Sequence, residues 1–449
     1  MKKNLLLAGA FLTLGFASNA QWVTQNTAFA KAARGISGIY MVDANTVWAI
    51  AFSGNGGTAP LMEYTKTSNG GTTWMADSVK GAPVGDALAS ICAISKDTAW
   101  ASVFGNGTTV GGIYRTNNGG TTWTNQSSAA YNASSFPDWV YFFDKNHGVS
   151  FGDPNTVGAS SVPHWEIYTT SNGGTNWVLS DSTKTPPILS GEYGNANGYA
   201  VAGGVLYAGT NMGQVLKSTD MGVHWTATTA SAAMAPISNI AFKDANNGLA
   251  TIYGTTKDSI YATTNGGTTW TKVAKTGRYL HSGLCYSTMG GGMYISTGAS
   301  TGMYGTSFST DNGMTWKTQD TANQHLAVAF MGTTGWTGGF NTSSTVGGIY
   351  KWTGSAFAIE EQHVAYEAGL SVYPNPNNGM FQIALSNFSG KTPQLAVYDL
   401  LGNVVFQSSE NVAGNLFLKD VDLSSYSTGM YIVRVVDGAK VYTAKVVRQ

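Results

Sequence analysis

Charge is scarce in this chain: 11% of its 449 residues are charged, 24 basic against 24 acidic, and the formal net charge is zero. Globular chains usually carry about 25%. Without a basic domain or stripe there is no electrostatic footprint for a polyanion, which excludes nucleic acid as a partner. Cysteine occurs only at Cys92 and Cys285, too few for a disulfide framework. Long apolar runs are missing too. The longest, Leu5 to Ala17, falls short of the ~20 residues that a membrane-spanning helix needs. The six histidines are scattered without metal-ligand spacing. No Gly-x-Ser-x-Gly elbow or phosphate-binding loop occurs, and no metal or cofactor is expected.

What the chain has instead is 57 glycines among many Ser, Thr and Asn. That composition suits short strands and tight turns, an all-β class. Met1-Lys2-Lys3 precedes the apolar run and Ser18-Asn19-Ala20 follows it, the pattern of a signal peptide over residues 1–20, cleaved before Gln21.

Six octapeptides recur: TSNGGTTW (67–74), TNNGGTTW (116–123), TSNGGTNW (170–177), STDMGVHW (218–225), TTNGGTTW (263–270) and STDNGMTW (309–316). Their tryptophans are spaced 49, 54, 48, 45 and 46 residues apart, a period that marks stacked or radially arranged units. Between them run seven strand-like segments, from TVWAIAF (46–52) to TGWTGGF (334–340). Each unit has room for about four short strands, as a propeller blade requires. Where a seventh octapeptide is due, the chain reads GGIYKWTGSAF (347–357), while QWVTQN (21–26) resembles the strand after each octapeptide. Residues 21–26 are therefore expected to form the outer strand of the last blade, closing the ring. Within each octapeptide the Asn or Asp can accept turn N–H groups. The Gly two positions on tolerates positive φ, and the Trp can bury its ring between blades. The apolar alternation before the first and sixth copies is broken, so bulges are expected in those third strands.

These octapeptides resemble the Asp-box, or bacterial neuraminidase repeat, of sialidases, Vps10-type receptors, xyloglucan-cleaving enzymes and photosystem-assembly propellers. Asn replaces Asp in four copies. The resemblance covers residues 21–355 and implies a seven-bladed β-propeller. It also implies a structural, peripheral role for Asn69, Trp74, Asn118, Trp123, Asn172, Trp177, Asp220, Trp225, Asn265, Trp270, Asp311 and Trp316.

Residues 356–368 read as a linker. Seven strand-like runs then occupy 369–449, which suggests a small Ig-like antiparallel β-sandwich. YPNPNNGMFQIAL (373–385), VYDLLGNVV (397–405) and YSTGMYIVRVVDG (426–438) followed by KVV (445–447) resemble the type A C-terminal sorting domain of the type IX secretion system of Bacteroidetes. The resemblance implies that the secretion machinery is a partner through residues 369–449. It also implies that the domain is cleaved, leaving the propeller secreted or at the outer-membrane cell surface.

Sialidase chemistry is not expected. It needs three arginines around a carboxylate, and only Arg34, Arg115 and Arg278 precede the sorting domain, Arg115 on a strand that points it outward. Other glycosidases need a carboxylate pair. Asp138, Asp153 and Glu192, with Glu166, are the candidates, carried by the decorated loops 136–142, 151–166 and 190–194. Arg34, Arg278 and His281 are expected on the same face. Trp139, Trp165 and Trp352 are candidate sugar platforms, core packing being the plainer reading of each. The leading functional expectation is a monomeric binding or scaffold protein for an extracellular protein or glycan. The alternative is a polysaccharide-acting glycoside hydrolase.

Overall fold

The computed structural model describes residues 21–54, 60–156, 162–231, 235–252, 259–354, 370–386, 392–409, 416–437 and 440–449. The expected signal peptide and the expected linker lie outside them. The chain divides into two compact units between Phe357 and Ala358.

The described strands of the first unit group into four-stranded antiparallel sheets, the first and last of them joined at Gly35↔Phe340, with Thr276–Gly277 added parallel to the edge of the sixth. The first sheet holds Arg34–Met41, Val47–Ser53, Glu63–Thr67 and Met75–Ser78, the second Ala87–Ala93, Ala99–Phe104, Gly112–Thr116 and Thr124–Asn125. The third holds Pro137–Phe142, Gly148–Asn155, His164–Thr170 and Val178–Leu179, the fourth Tyr199–Ala202, Val205–Gly209, Gln214–Ser218 and Thr226–Thr229. The fifth holds Ile237–Phe242, Gly248–Ile252, Ser259–Thr263 and Thr271–Lys272, the sixth Gly283–Ser287, Met293–Gly298, Gly305–Ser309 and Thr315–Asp320. The seventh joins Val328–Met331, Thr334–Ser343 and Val346–Trp352 to Trp22–Asn26 from the other end of the domain.

The first strands of successive sheets contact one another, and that of the seventh contacts that of the first. Between the third and fourth sheets the link is aromatic: Trp139 stacks on Tyr199 at 4.6 Å, and Tyr141 meets it edge-on. The arrangement is a β-propeller, closed by Trp22–Asn26 pairing antiparallel with Val346–Trp352 in the register Trp22↔Trp352 to Asn26↔Gly348. Trp22 packs on Trp352 and Phe330. Both tryptophans join Met289, Met293 and Phe308 in one cluster, the place that an octapeptide Trp fills at other sheet junctions.

The six hairpins share one hydrogen-bond pattern. The Thr or Ser that opens each octapeptide accepts the N–H of the second glycine position at 2.8–3.0 Å. Its hydroxyl donates to Oδ1 of the Asn or Asp at 2.7–3.1 Å. That Oδ1 accepts the N–H four residues on at 2.8–3.0 Å. Each turn thus satisfies its own polar groups before it packs. The glycine sits at φ +81° to +89° in all six. The residue before it is also left-handed, at φ +56° to +71°, and in two copies it is Met221 or Asn312 rather than Gly.

The expected third-strand bulge in the first sheet is absent: Val47↔Thr67 to Ile50↔Tyr64 pair without a shift. The alternation breaks there because Thr65 and Thr67 are buried and hydrogen-bonded, Thr65 to the Thr27 carbonyl, while the backbone stays in register. In the sixth sheet the irregularity falls between the third and fourth strands, at Thr306/Ser307. Bulges occur instead in the innermost strands, between Ile36/Gly38, Leu88/Ser90, Pro137/Trp139 and Ile237/Asn239.

The second unit carries two sheets on the seven expected runs. Leu370–Tyr373, Met380–Ser386 and Leu416–Asp422 form one, and Val404–Ser409, Gln394–Tyr398, Gly429–Asp437 and Lys440–Arg448 the other. Phe381, Ile383 and Phe417 from one sheet and Leu395, Val397, Val433 and Val435 from the other make a single buried cluster, the core of a β-sandwich.

Candidate functional site

The innermost strands surround a cavity of about 610 Å³ at the propeller hub. Ser37, Asn197, Ser238, Asn239 and Ser282 line it near the end where these strands begin. Tyr40, Tyr141, Tyr286 and Phe330 line it toward the end where they finish, and Tyr199 adds a ring from the fourth sheet. Among its described lining residues there is no Asp, Glu, Lys, Arg or His. Burial pushes the Tyr141 hydroxyl up to about 12. Burial likewise raises those of Tyr40 and Tyr199, helped by the neighbouring Cys92 thiol. The hub wall is therefore uncharged at neutral pH.

Beside this cavity the two bulges of the third sheet aim two carboxyls at each other. Asp138 is the extra residue between Pro137 and Trp139, and Asp153 the extra residue between Gly152 and Pro154. A bulge turns its unpaired residue out of the regular alternation. Burial, then the charge and hydrogen bond of Asp153, holds the Asp138 carboxyl well above its ordinary range. Burial pushes Asp153 up to about 6, against the opposing hydrogen bonds of the Gly194 N–H, at 2.7 Å, and of Asp138. Burial and the like charge of Asp153 both favour the protonated form of Asp138. Asp138 is only 1% exposed.

The other candidates hold separate partners. Glu166 is fully buried, accepting from Asn155 Nδ2 and the Tyr168 hydroxyl, each at 3.3 Å. Glu192 pins its own loop, accepting from the Leu189 N–H at 2.9 Å and the Thr210 hydroxyl at 2.8 Å. Arg34 forms a two-pronged pair with Glu63 at 2.6 and 3.0 Å inside the first sheet. Arg278 reaches the Gly302 carbonyl at 3.3 Å, and the His281 carbonyl accepts from Asn239 Nδ2. Cys92 and Cys285 are unpaired, and the Phe142 N–H donates to Cys92 Sγ.

Trp139 and Trp165 take the plainer of their two readings, core packing. Both are 0% exposed, Trp139 stacked between Phe151 and Tyr199 and Trp165 tilted onto Phe151. A ring without an open face cannot receive a sugar, so both are core, as is Trp352. Sequence reasoning missed Ser37, Asn197 and the hub tyrosines. The one signal that could have found them is the first strand of each unit, just upstream of the segments that were read.

Residues 371–449 match the family model described as "Secretion system C-terminal sorting domain". Ulvan lyase NLR42 of Nonlabens ulvanivorans is 30% identical over 100 residues, which is 22% of this chain and 17% of that enzyme. This chain therefore matches under a fifth of that relative's length. Among solved structures, YCF48 bound to D1 peptide matches with a TM-score of 0.50 at 13% identity, over 74% of this chain and 96% of that one. At that identity the likeness is one of fold. Among the described residues no helix is long and apolar enough to cross a membrane. The C-terminal unit is a secretion-system sorting domain, and the protein is a β-propeller exported by the type IX route to the cell surface or beyond.

Proposed function

We propose that the protein is a seven-bladed propeller, braced by six Asp-box hairpins, that works outside the cell as a monomeric binding or scaffold module for a protein or glycan. Its signal peptide and sorting domain serve export and are removed. The observation that carries this reading is the placement of the candidate carboxylates: Asp138 is buried, Asp153 accepts from the Gly194 N–H, and Glu166 and Glu192 are bonded within the fold. No described pair spans an open cleft, and of the 13 tryptophans only Trp270 is more than 9% exposed. YCF48, a propeller of the same fold, has been solved with a peptide, which supports recognition as a use for this scaffold.

A glycoside hydrolase remains the second reading, because Asp153 at about 6 lies where a general acid works. Glycan-array binding and a polysaccharide hydrolysis screen on the secreted chain test the two together. Retention of a ligand without turnover is expected. Release of reducing sugar, abolished by Asp153→Asn or Glu192→Gln, would reverse the assignment.

A further inference from the structure

We infer that the hub cavity itself is the ligand site and that its ligand is a short, uncharged oligosaccharide, whose hydroxyls meet the Ser and Asn rim while its ring faces lie on the tyrosines within. This rests on the binding reading above and narrows it to one chemical class.

Size, charge and lining chemistry carry the inference. At about 610 Å³ the cavity falls within the roughly 300–1,000 Å³ of small-molecule sites. A charged ligand would be desolvated there without a described counter-ion on the wall, an uncompensated cost. A neutral sugar brings hydroxyls, which pair with serine hydroxyls and asparagine amides as donor and acceptor alike. Its apolar C–H faces suit aromatic rings, and Tyr40, Tyr141, Tyr199 and Tyr286 all keep part of their surface open.

The rim is shaped for exposure. Ser37 and Ser238 are the extra residues of two innermost-strand bulges, and both are exposed. Asn197 stands at φ +57°, a left-handed conformation that a side chain adopts at a cost and that glycine would adopt freely. Its backbone N–H is tied to the Asp138 backbone carbonyl at 3.2 Å, so the bulge of the third sheet holds the rim from behind. Neither the Ser37 hydroxyl nor the Asn197 amide is spent on a described residue, whereas Ser238 is bonded to Thr251 and Asn239 to the His281 carbonyl.

The test is isothermal calorimetry on the secreted full-length chain with three probes: short neutral hexose oligosaccharides, uronate oligosaccharides of equal length, and uncharged peptides. The neutral sugars are expected to bind and the uronates to bind at least about tenfold more weakly. Ser37→Trp, which places a bulky ring at an exposed rim position, should abolish binding with the thermal midpoint unchanged. Asn197→Gly keeps the backbone conformation and removes one amide, so affinity should fall by about tenfold. Tighter uronate binding, or full affinity in Ser37→Trp, would overturn the inference. Peptide binding with no sugar binding would overturn it too, while leaving the broader binding reading in place. Loss of all binding together with hydrolysis of a polysaccharide would remove both.

Discussion

The six hairpins fall into two groups, and the preceding sheet differs between them. Hairpins one, two, three and five carry Asn-Gly-Gly, while four and six carry Asp-Met-Gly and Asp-Asn-Gly. Each first-group hairpin follows a sheet in which an aromatic residue pairs across strands with a cation: Trp336↔Lys351, Trp48↔Lys66, Trp100↔Arg115 and Tyr207↔Lys217. The cation lies over the ring at 4.7–5.8 Å. It also rests against the first glycine of the next hairpin: Lys351 donates to the Gly70 carbonyl and Lys66 to the Gly119 carbonyl. Hairpins four and six follow sheets where the same pair is Val149↔Thr169 or Leu249↔Ala262. A Cβ would lie 2.6 Å from Lys66 Nζ at Gly119 and 2.8 Å from Lys217 Nζ at Gly266, while the cation stands 3.4 and 3.7 Å off at Gly70 and Gly173. Where the pair holds no cation, Met221 and Asn312 stand in the left-handed position at φ +60° and +56°. The ring–cation pair of one sheet thus accompanies a glycine in the turn of the next.

The largest expected effect breaks a first-group junction outright. A Cβ on Gly120 would overlap the Tyr64 hydroxyl of the preceding sheet at φ +88°, so Gly120→Ala should cost about 3 kcal/mol or more in urea unfolding. Gly267→Ala, whose Cβ would meet nothing nearer than 3.5 Å, should cost only the backbone strain of about 1–2 kcal/mol.

Next, Lys66→Ala removes both the ring contact and the carbonyl bond and should cost about 1–2 kcal/mol. Gly119→Asn displaces the same lysine, because its Cβ would lie 2.6 Å from Lys66 Nζ. A double-mutant cycle should therefore find the two changes strongly non-additive. Thr169→Lys, opposite Val149, should gain nothing, since no ring waits beneath it.

Met221→Gly relieves left-handed strain and should raise stability by up to about 1 kcal/mol. Asn312→Gly should gain less, because Asn tolerates that region better.

The smallest effect concerns acid. For Asp220, burial works upward, but the His224 N–H and ring and the Ser218 hydroxyl outweigh it and hold the carboxyl below its ordinary range. For Asp311, burial is likewise outweighed by the Thr315 N–H and the Ser309 hydroxyl. A depressed carboxyl contributes stability that is present above its unfolded value near ~4 and lost as pH falls through the folded value. Acid unfolding of the Asp220→Asn, Asp311→Asn double variant should therefore be flatter below about pH 4, the four amide hairpins having nothing there to titrate.

The hairpins were legible because their chemistry is local. Thr, Asn, Gly and Trp lie within eight residues, and the hydroxyl and Oδ1 bonds that shape the turn stay inside that window. Ring closure was legible for a related reason, as Trp22–Asn26 repeats the wording of the strands after each octapeptide. The hub was not legible. Its wall takes a few residues from each of several sheets, and the bulges that expose Ser37 and Ser238 depend on strand register, which no single strand records. Trp139 and Trp165 stayed between core and platform because a tryptophan on an inner strand looks the same in sequence whether its ring is covered or open. Asp138 and Asp153 were named residue by residue, but the proximity that helps raise the Asp138 carboxyl comes from two bulges meeting across a sheet.

The central claim is that the hairpins hold the ring while the hub does the binding. The most direct test measures thermal midpoint and affinity for a neutral hexose oligosaccharide together in Lys66→Ala, Arg115→Ala, Lys217→Ala and Lys351→Ala. The midpoint should fall in all four with affinity unchanged; affinity lost at an unchanged midpoint would place recognition on the hairpin rim and contradict the account.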